Sequence, residues 1–279
     1  MAYRGLISLA DVLAIMPGTT ESVARFRIKQ ASDRIQSVIG RKLGLRIYPE
    51  DAGELLQTYG RDWLEVSHWP IRSIDRVLVD DSPATLEEQA EYYNERGVIV
   101  GYAERDSGVR AEYSGGYILP GDAELDYNRS SGALSIVSSS GSDVGEVTIH
   151  GITADGTVIE TLNLDGTSPV STDAEWLAGG VWEAFCYDHV GTLTFSVAGQ
   201  SLGTLAPSKY IIAACDVPGD IQEVAMDIVL GSIARPVKAI QREELPGGAK
   251  VQWSTATGDR SDINASLSRL KGAYERPAL

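Results

Sequence analysis

The sequence predicts an α+β chain: a mainly helical domain with a small β-meander, built from both ends of the chain and interrupted by an all-β, sandwich-like insertion. Three observations predict it. Apolar residues recur at steps of four and three before residue 42 and again after residue 220, which is the helical period. Between those stretches the pattern alternates and is punctuated by glycine, as strands and tight turns require. The charge shifts with the pattern: residues 1–45 hold seven Lys or Arg against three acids, whereas residues 121–212 hold twelve acids against Arg129 and Lys209 alone. The expected domains are therefore 1–120 together with 213–279, and an acidic β-domain over 121–212.

At the N-terminus, Ser8 and Asp11 suit the cap of a short helix, and Asp11 breaks the apolar run that a signal peptide would need. After the turn Pro17-Gly18-Thr19-Thr20 a long helix is expected to Lys42, with Ala24, Ile28, Ala31, Ile35 and Val38 on one stripe. Arg27, Arg34 and Arg41 run beside it at steps of seven. Such a row serves as a solvated flank, as intersubunit ion pairs or as a contact for DNA phosphates.

From Leu55 the period becomes that of strands, in "WLEVSHWPIRSIDRVLVDD", "GVIVGY" and "VRAEYSGGY", with Pro70 marking a break or an edge. The acidic region then reads as short strands, "ALSIVSSS", "GEVTIHGI", "TVIETLNLDG" and "GTLTFSVAG", with Asp155-Gly156 as a hairpin signal. A helix is expected from Asp220 to Ala234, opened by Pro218-Gly219 and faced with Ile221, Val224 and Ile228. A polar, turn-rich stretch follows, then a short helix over Ile263 to Tyr274 and the tail "ERPAL".

Composition excludes several functions. A net charge of −15 argues against a protein that binds nucleic acid over its whole surface. No apolar run reaches the ~18 residues of a membrane span, so a protein without membrane contact, folded in a cytoplasm, is expected. Cys186 and Cys215 match no metal or redox spacing, and reduced thiols are the simpler reading. His68, His150 and His189 lie in different segments, and no nucleophile elbow, P-loop or dinucleotide fingerprint accompanies them. Asp143, Asp155, Asp165 and Asp173 could gather round calcium, but aspartate is common in glycine-rich turns for backbone reasons. No enzyme activity, metal or cofactor is expected.

The order of elements resembles the head-tail connector (adaptor) proteins of tailed bacteriophages. "IGRKL" from Ile39 to Leu43 is similar to the end of that family's helical pair, and "GRDWLEVSHWPIRSIDRVLVD" to its strand pair. "VRAEYSGGY" resembles the segment that closes its sheet. Pro218, Asp220 and Ile221 are similar to its Pro-x-Asp-Ile helix start, and "LKGAYERPAL" to its ending. The likeness covers residues 1–118 and 215–279. In the family the Gly-Tyr strand runs fairly directly into the Pro-x-Asp helix, whereas here Leu119 to Ala214 intervene, which reads as a domain inserted at a surface loop.

The resemblance implies a structural virion protein at the phage neck. It would form a homo-oligomeric ring, a dodecamer by family likeness, under the portal protein, meet a tail-completion or stopper protein, and let DNA pass without sequence specificity. It also implies that Leu270, Tyr274, Arg276, Pro277 and Leu279 dock onto the portal. Two alternatives remain: a tail or baseplate component, and a carbohydrate-binding β-protein with Trp176, Trp182, Phe185 and Tyr187 as a sugar platform in place of core.

Overall fold

A computed structural model describes residues 4–48, 53–56, 63–79, 82–84, 92–93, 98–100, 108–234 and 260–274. The chain divides into two compact units, Met1–Gly40 with Pro218–Leu279, and Arg41–Val217. The helices expected at the two ends of the sequence thus share a unit. The meander expected to fold with them falls in the other.

In the helical unit, α1 (Leu9–Ile15) begins at Ser8, whose hydroxyl accepts from the Asp11 amide at 3.0 Å. The long helix α2 (Glu21–Ile39) buries Ala24, Ile28, Ala31, Ile35 and Ile39, the expected stripe except that Ile39 is buried where Val38 is only half-buried. Gly40, at φ 80°, ends it in the left-handed conformation that glycine adopts most easily. Ser32 is buried on α2, donating to the Ile28 carbonyl at 2.8 Å and accepting from the Leu6 amide at 3.0 Å. Helix α3 (Gly219–Ala234) packs on α2 and buries Ile221, Val224, Ala225, Ile228 and Val229. Helix α4 (Arg260–Tyr274) packs on both and contributes Leu267 and Leu270.

The other unit begins with short strands. β1 (Arg46–Ile47), β2 (Glu54–Leu56), β4 (Ile71–Val79), β5 (Ser82–Ala84) and β8 (Val109–Gly115) form one antiparallel sheet around the β4–β8 pair. β3 (Trp63–Glu65), β6 (Tyr92–Tyr93) and β7 (Val98–Val100) form a second. Their core gathers Leu56, Leu64, Val77, Ile99, Val109 and Tyr113. Strand β8 closes on two glycines for a steric reason. A Cβ on Gly115 would lie 2.1 Å from the His68 carbonyl oxygen, and Gly116 sits at φ 95° with the Gly44 carbonyl oxygen 2.5 Å from where its Cβ would be.

The acidic region holds eight strands: β9 (Ala123–Glu124), β10 (Gly132–Ser138), β11 (Glu146–Thr153), β12 (Gly156–Asn163), β13 (Val170–Cys186), β14 (Leu193–Val197), β15 (Gln200–Leu205) and β16 (Ile211–Ala213). The expected hairpin joins β11 to β12 at Asp155-Gly156. The 17-residue β13 decides the architecture. Its first half pairs with β10, its second half pairs with β16, and β11 runs along it over residues 176–186. From β10 the sheet continues to β14 and β15. From β16 it continues to β9, and the Asp126 amide donates to the Leu202 carbonyl at 2.7 Å, which ties that side back to β15. Asn128, buried where β13 passes from β10 to β16, satisfies the bend by donating to the Leu177 carbonyl at 2.6 Å and the Ser130 carbonyl at 3.2 Å.

Two expectations are corrected here. The chain is not mainly helical: among the described residues sixteen strands stand against four helices. The β-domain is not a sandwich of two sheets but one nearly closed, barrel-like sheet, because a single long strand serves both halves. Strands β10, β11 and β14 alternate as a half-buried strand must, turning Leu134, Ile136, Val147, Ile149, Leu193, Phe195 and Val197 inward around Trp176. A separate cluster of Ile118, Trp182, Ile211 and Ala213, with Leu45 and Ile47 packed against it, joins the barrel to the meander.

Candidate functional site

The strand that ends in Gly115-Gly116-Tyr117 and the segment that leads into α3 meet at the foot of the barrel. The Ile118 amide donates to Asp216 Oδ1 at 2.6 Å, and the Asp216 amide donates to the Ile118 carbonyl at 3.2 Å. Arg72, on β4, pairs with Asp216, donates to the Gly116 carbonyl at 2.9 Å and stands 5.3 Å from the Trp182 ring. The chain therefore leaves for the barrel and returns from it at neighbouring points.

At the opposite end of β10, β11 and β13, four loops are stitched together: 139–145, 164–169, 187–192 and 206–210. The Asp143 carboxylate is buried there and accepts from Ser138 Oγ at 2.5 Å and from the amides of Val190 and Gly191 at 2.8 and 2.9 Å. Burial alone would raise its pKa, but those three donors and the nearby His189 outweigh it and hold the carboxyl below the ordinary range. The Asp143 carbonyl accepts from the Gly166 amide at 2.8 Å, which brings in the second loop. His189, also buried, has Nδ1 at 2.7 Å from the Gly191 carbonyl and Nε2 at 2.7 Å from the Lys209 carbonyl, which ties the third loop to the fourth. The result is a braced tip on which Val144, Val190 and Tyr187 stand 70, 63 and 54 % exposed. Tyr187 is stacked on Tyr210 with ring centroids 5.9 Å apart.

The other histidines are engaged in structure. His150 pairs with the buried Glu183 at 3.0 Å. His68 Nδ1 lies 3.0 Å from the Tyr48 hydroxyl, while Tyr113, stacked on Tyr48, donates to Glu54 at 2.5 Å. Burial holds His68 below the usual imidazole value despite the pull of Glu54, and Arg46, Arg41 and Lys42 add to the lowering. Burial also pushes the Tyr113 hydroxyl far above the ordinary tyrosine value.

The residues singled out from sequence are distributed as follows. Arg27 and Arg34 share α2, where Arg27 donates to Gln30 Oε1 at 2.8 Å and Arg34 to Asn264 Oδ1 at 3.0 Å. Arg41 lies beyond Gly40 in the β unit. Its guanidinium packs 3.1 Å from the centroid of the Trp69 ring and donates to the Trp69 carbonyl. Leu270 is 3 % exposed in the core of the helical unit, and the Tyr274 hydroxyl donates to Asp220 Oδ1 at 2.7 Å. Arg276, Pro277 and Leu279 lie outside the described residues. Asp155, Asp165 and Asp173 are exposed whereas Asp143 is buried, and among the described residues no group of three His, Cys, Asp or Glu could hold a metal ion. Of the four aromatics of the sugar platform, Trp176 and Trp182 are buried, Phe185 is half-buried and Tyr187 alone is exposed. Cys186 is buried and Cys215 exposed, and the two form no disulfide. Among the described residues no helix is long and apolar enough to cross a membrane.

Sequence reasoning missed the braced tip. The signal for it was an isolated valine between a hydrogen-bonding residue and a glycine in two turn segments, "DVG" at 143–145 and "HVG" at 189–191. Compared with known proteins, the chain matches no family model and no curated protein.

Proposed function

We propose that the protein is a structural virion component, a head-tail connector whose ring under the portal joins capsid to tail and lets DNA pass, with a barrel inserted between its sheet and its third helix. The observation that carries this reading is the pairing of Ile118 with Asp216. Remove the barrel and the Gly-Tyr strand runs into the Pro218-x-Asp220 helix, the order that the resemblance requires. The union of α1 and α2 with α3 and α4 in one unit, from opposite ends of the chain, supports the same reading.

A connector works by shape and interfaces, and the polar groups buried here are spent on holding loops and strands. The protein acts without catalytic turnover and without a cofactor, and its partners are further copies of itself, the portal protein, a stopper or tail-completion protein and DNA in transit. The tail beyond Tyr274 supplies the portal contact, with Arg276, Pro277 and Leu279 as its docking residues. Leu270 and Tyr274 act there indirectly, by fixing where the tail starts.

The test is sedimentation of the purified chain with portal-bearing capsids, followed by negative-stain microscopy. Comigration at stoichiometric occupancy and a ring at the portal vertex are expected. A chain that never joins such capsids, or one that acts on a substrate at a rate abolished by a single substitution, would remove the reading.

A further inference from the structure

We propose that the barrel tip formed by Val144, Tyr187 and Val190 docks on the outward face of α2 in a second copy of this chain, a head-to-tail contact between protomers. This deepens the ring reading above and rests on it for its purpose, while the two surfaces are argued from their own chemistry.

The tip is built to stay in place. Three large apolar side chains project from turns, and the turns are tied by the buried Asp143 carboxylate and the buried His189 ring. Side chains held on a braced frame lose little entropy on docking, so their apolar area is available for association. The rim is acidic, with Glu146, Asp165 and Asp188 exposed on the same loops or at their ends. A symmetric pairing of two tips would set these carboxylates against each other. The partner surface must therefore be a different one, and basic.

The chain itself carries such a surface. On α2, Val23, Phe26, Gln30 and Arg34 follow at steps of three and four and are all exposed, outside the buried stripe of Ala24, Ile28, Ala31 and Ile35, with the half-buried Arg27 beside Phe26 and Arg34 held by Asn264. Val23 and Phe26 are 45 and 55 % exposed, and the Arg27 guanidinium stands 5.6 Å from the Phe26 ring. The charges of the two units match this pairing. The helical unit holds thirteen bases against eleven acids, and the β unit holds eleven bases against 28 acids. An apolar tip with a carboxylate rim thus meets an apolar and arginine-bearing helix face. Because each copy offers both surfaces, repetition of the contact closes a ring where the rotation allows, and a filament otherwise.

The experiment uses full-length chains and sedimentation velocity over a range of concentration and salt. One variant removes the tip (Val144→Ser with Val190→Ser) and another removes the helix face (Phe26→Ser with Arg34→Ser); all four residues are exposed, and unchanged melting confirms the fold. The wild type should associate beyond the dimer, less so at high salt. Each variant alone should associate at least about tenfold more weakly. An equimolar mixture of the two should recover a heterodimer and stop there, because one intact tip and one intact helix face remain. A wild type that stays monomeric, a variant that assembles like the wild type, or a mixture without heterodimer would each overturn the contact. Capsid binding is scored separately: rings that neither variant weakens sink the contact alone, while a heterodimer from a protein that never joins capsids sinks the connector reading alone.

Discussion

Ile118 and Asp216 stand 98 residues apart in sequence and hold each other by the Ile118 amide to Asp216 Oδ1, 2.6 Å, and the Asp216 amide to the Ile118 carbonyl, 3.2 Å. The barrel hangs from this clasp, and Arg72 braces it by pairing with the same carboxylate. Asp216→Ala should therefore leave the Ile118 amide without its acceptor and Arg72 without its ion-pair partner. Because the Asp216 side chain is 43 % exposed, solvent discounts the ion pair, and a loss of about 1–2 kcal/mol is expected in urea unfolding. Asp216→Asn keeps an acceptor for the amide and should lose less.

Asp143 should matter more than any other acid of the barrel. Asp143→Asn keeps the side chain's shape but sets an amide against a backbone donor at Val190 or Gly191, for an expected loss of about 1–3 kcal/mol at pH 7. The pH dependence has a definite sign. Although burial pushes its pKa up, the carboxyl is held below the ordinary range by Ser138, the two amides and His189. Its contribution is then fully present above the unfolded value of about 3.9 and is lost as the pH falls through the folded one. Unfolding midpoints of the wild type and Asp143→Asn should differ at pH 7 and converge in acid. A gap that persists unchanged at pH 2 would show that the charge is not what stabilises the tip.

His189→Leu should loosen two loops without unfolding the barrel. It removes the ring that faces the Gly191 and Lys209 carbonyls, while the core around Trp176 and Phe195 is untouched. Amide exchange should accelerate over residues 187–192 and 206–210 and remain slow in β10 and β14. Uniform acceleration through the barrel would assign His189 a role in the core instead.

Residues 119–217 produced alone should fold with a single cooperative transition, since the cluster around Leu134, Ile136, Trp176, Phe195 and Leu202 is drawn entirely from residues 123–214. The melting temperature should be lower than in the full chain. Isolation uncovers Trp182, Ile211 and Ala213, which otherwise meet Leu45 and Ile47.

What was legible in the sequence was local. The α2 stripe, the Ser8 cap, the Asp155-Gly156 hairpin and the apolar face of α3 each depend on residues within a few positions of one another, and each is present. Closure of the barrel was not legible, because β13 carries no alternation over its second half, where Val181, Trp182, Glu183 and Ala184 are all buried, and its partners lie up to tens of residues away on either side. In sequence the two tryptophans suit either a platform or a core, and only those long-range pairings decide for core. The tip was invisible for the same reason: Asp143 meets Val190 and Gly191 across 47 and 48 residues. Leu270 looks like a free anchor in sequence because its helix packs on α2, from the other end of the chain, and on α3, which lies beyond a turn-rich stretch.

The most direct measurement of the central claim, that a barrel has been inserted into a connector chain, is circular dichroism of a protein in which residues 119–215 are replaced by about three glycines, enough to span the clasped ends. All four described helices lie outside the excised segment. The account predicts that the helical signal per molecule at 222 nm is retained and is lost in one cooperative thermal transition, at a lower temperature than in the full chain because Leu45 and Ile47 lose their cover. A shortened protein without helical signal, or one that melts without cooperativity, would contradict it.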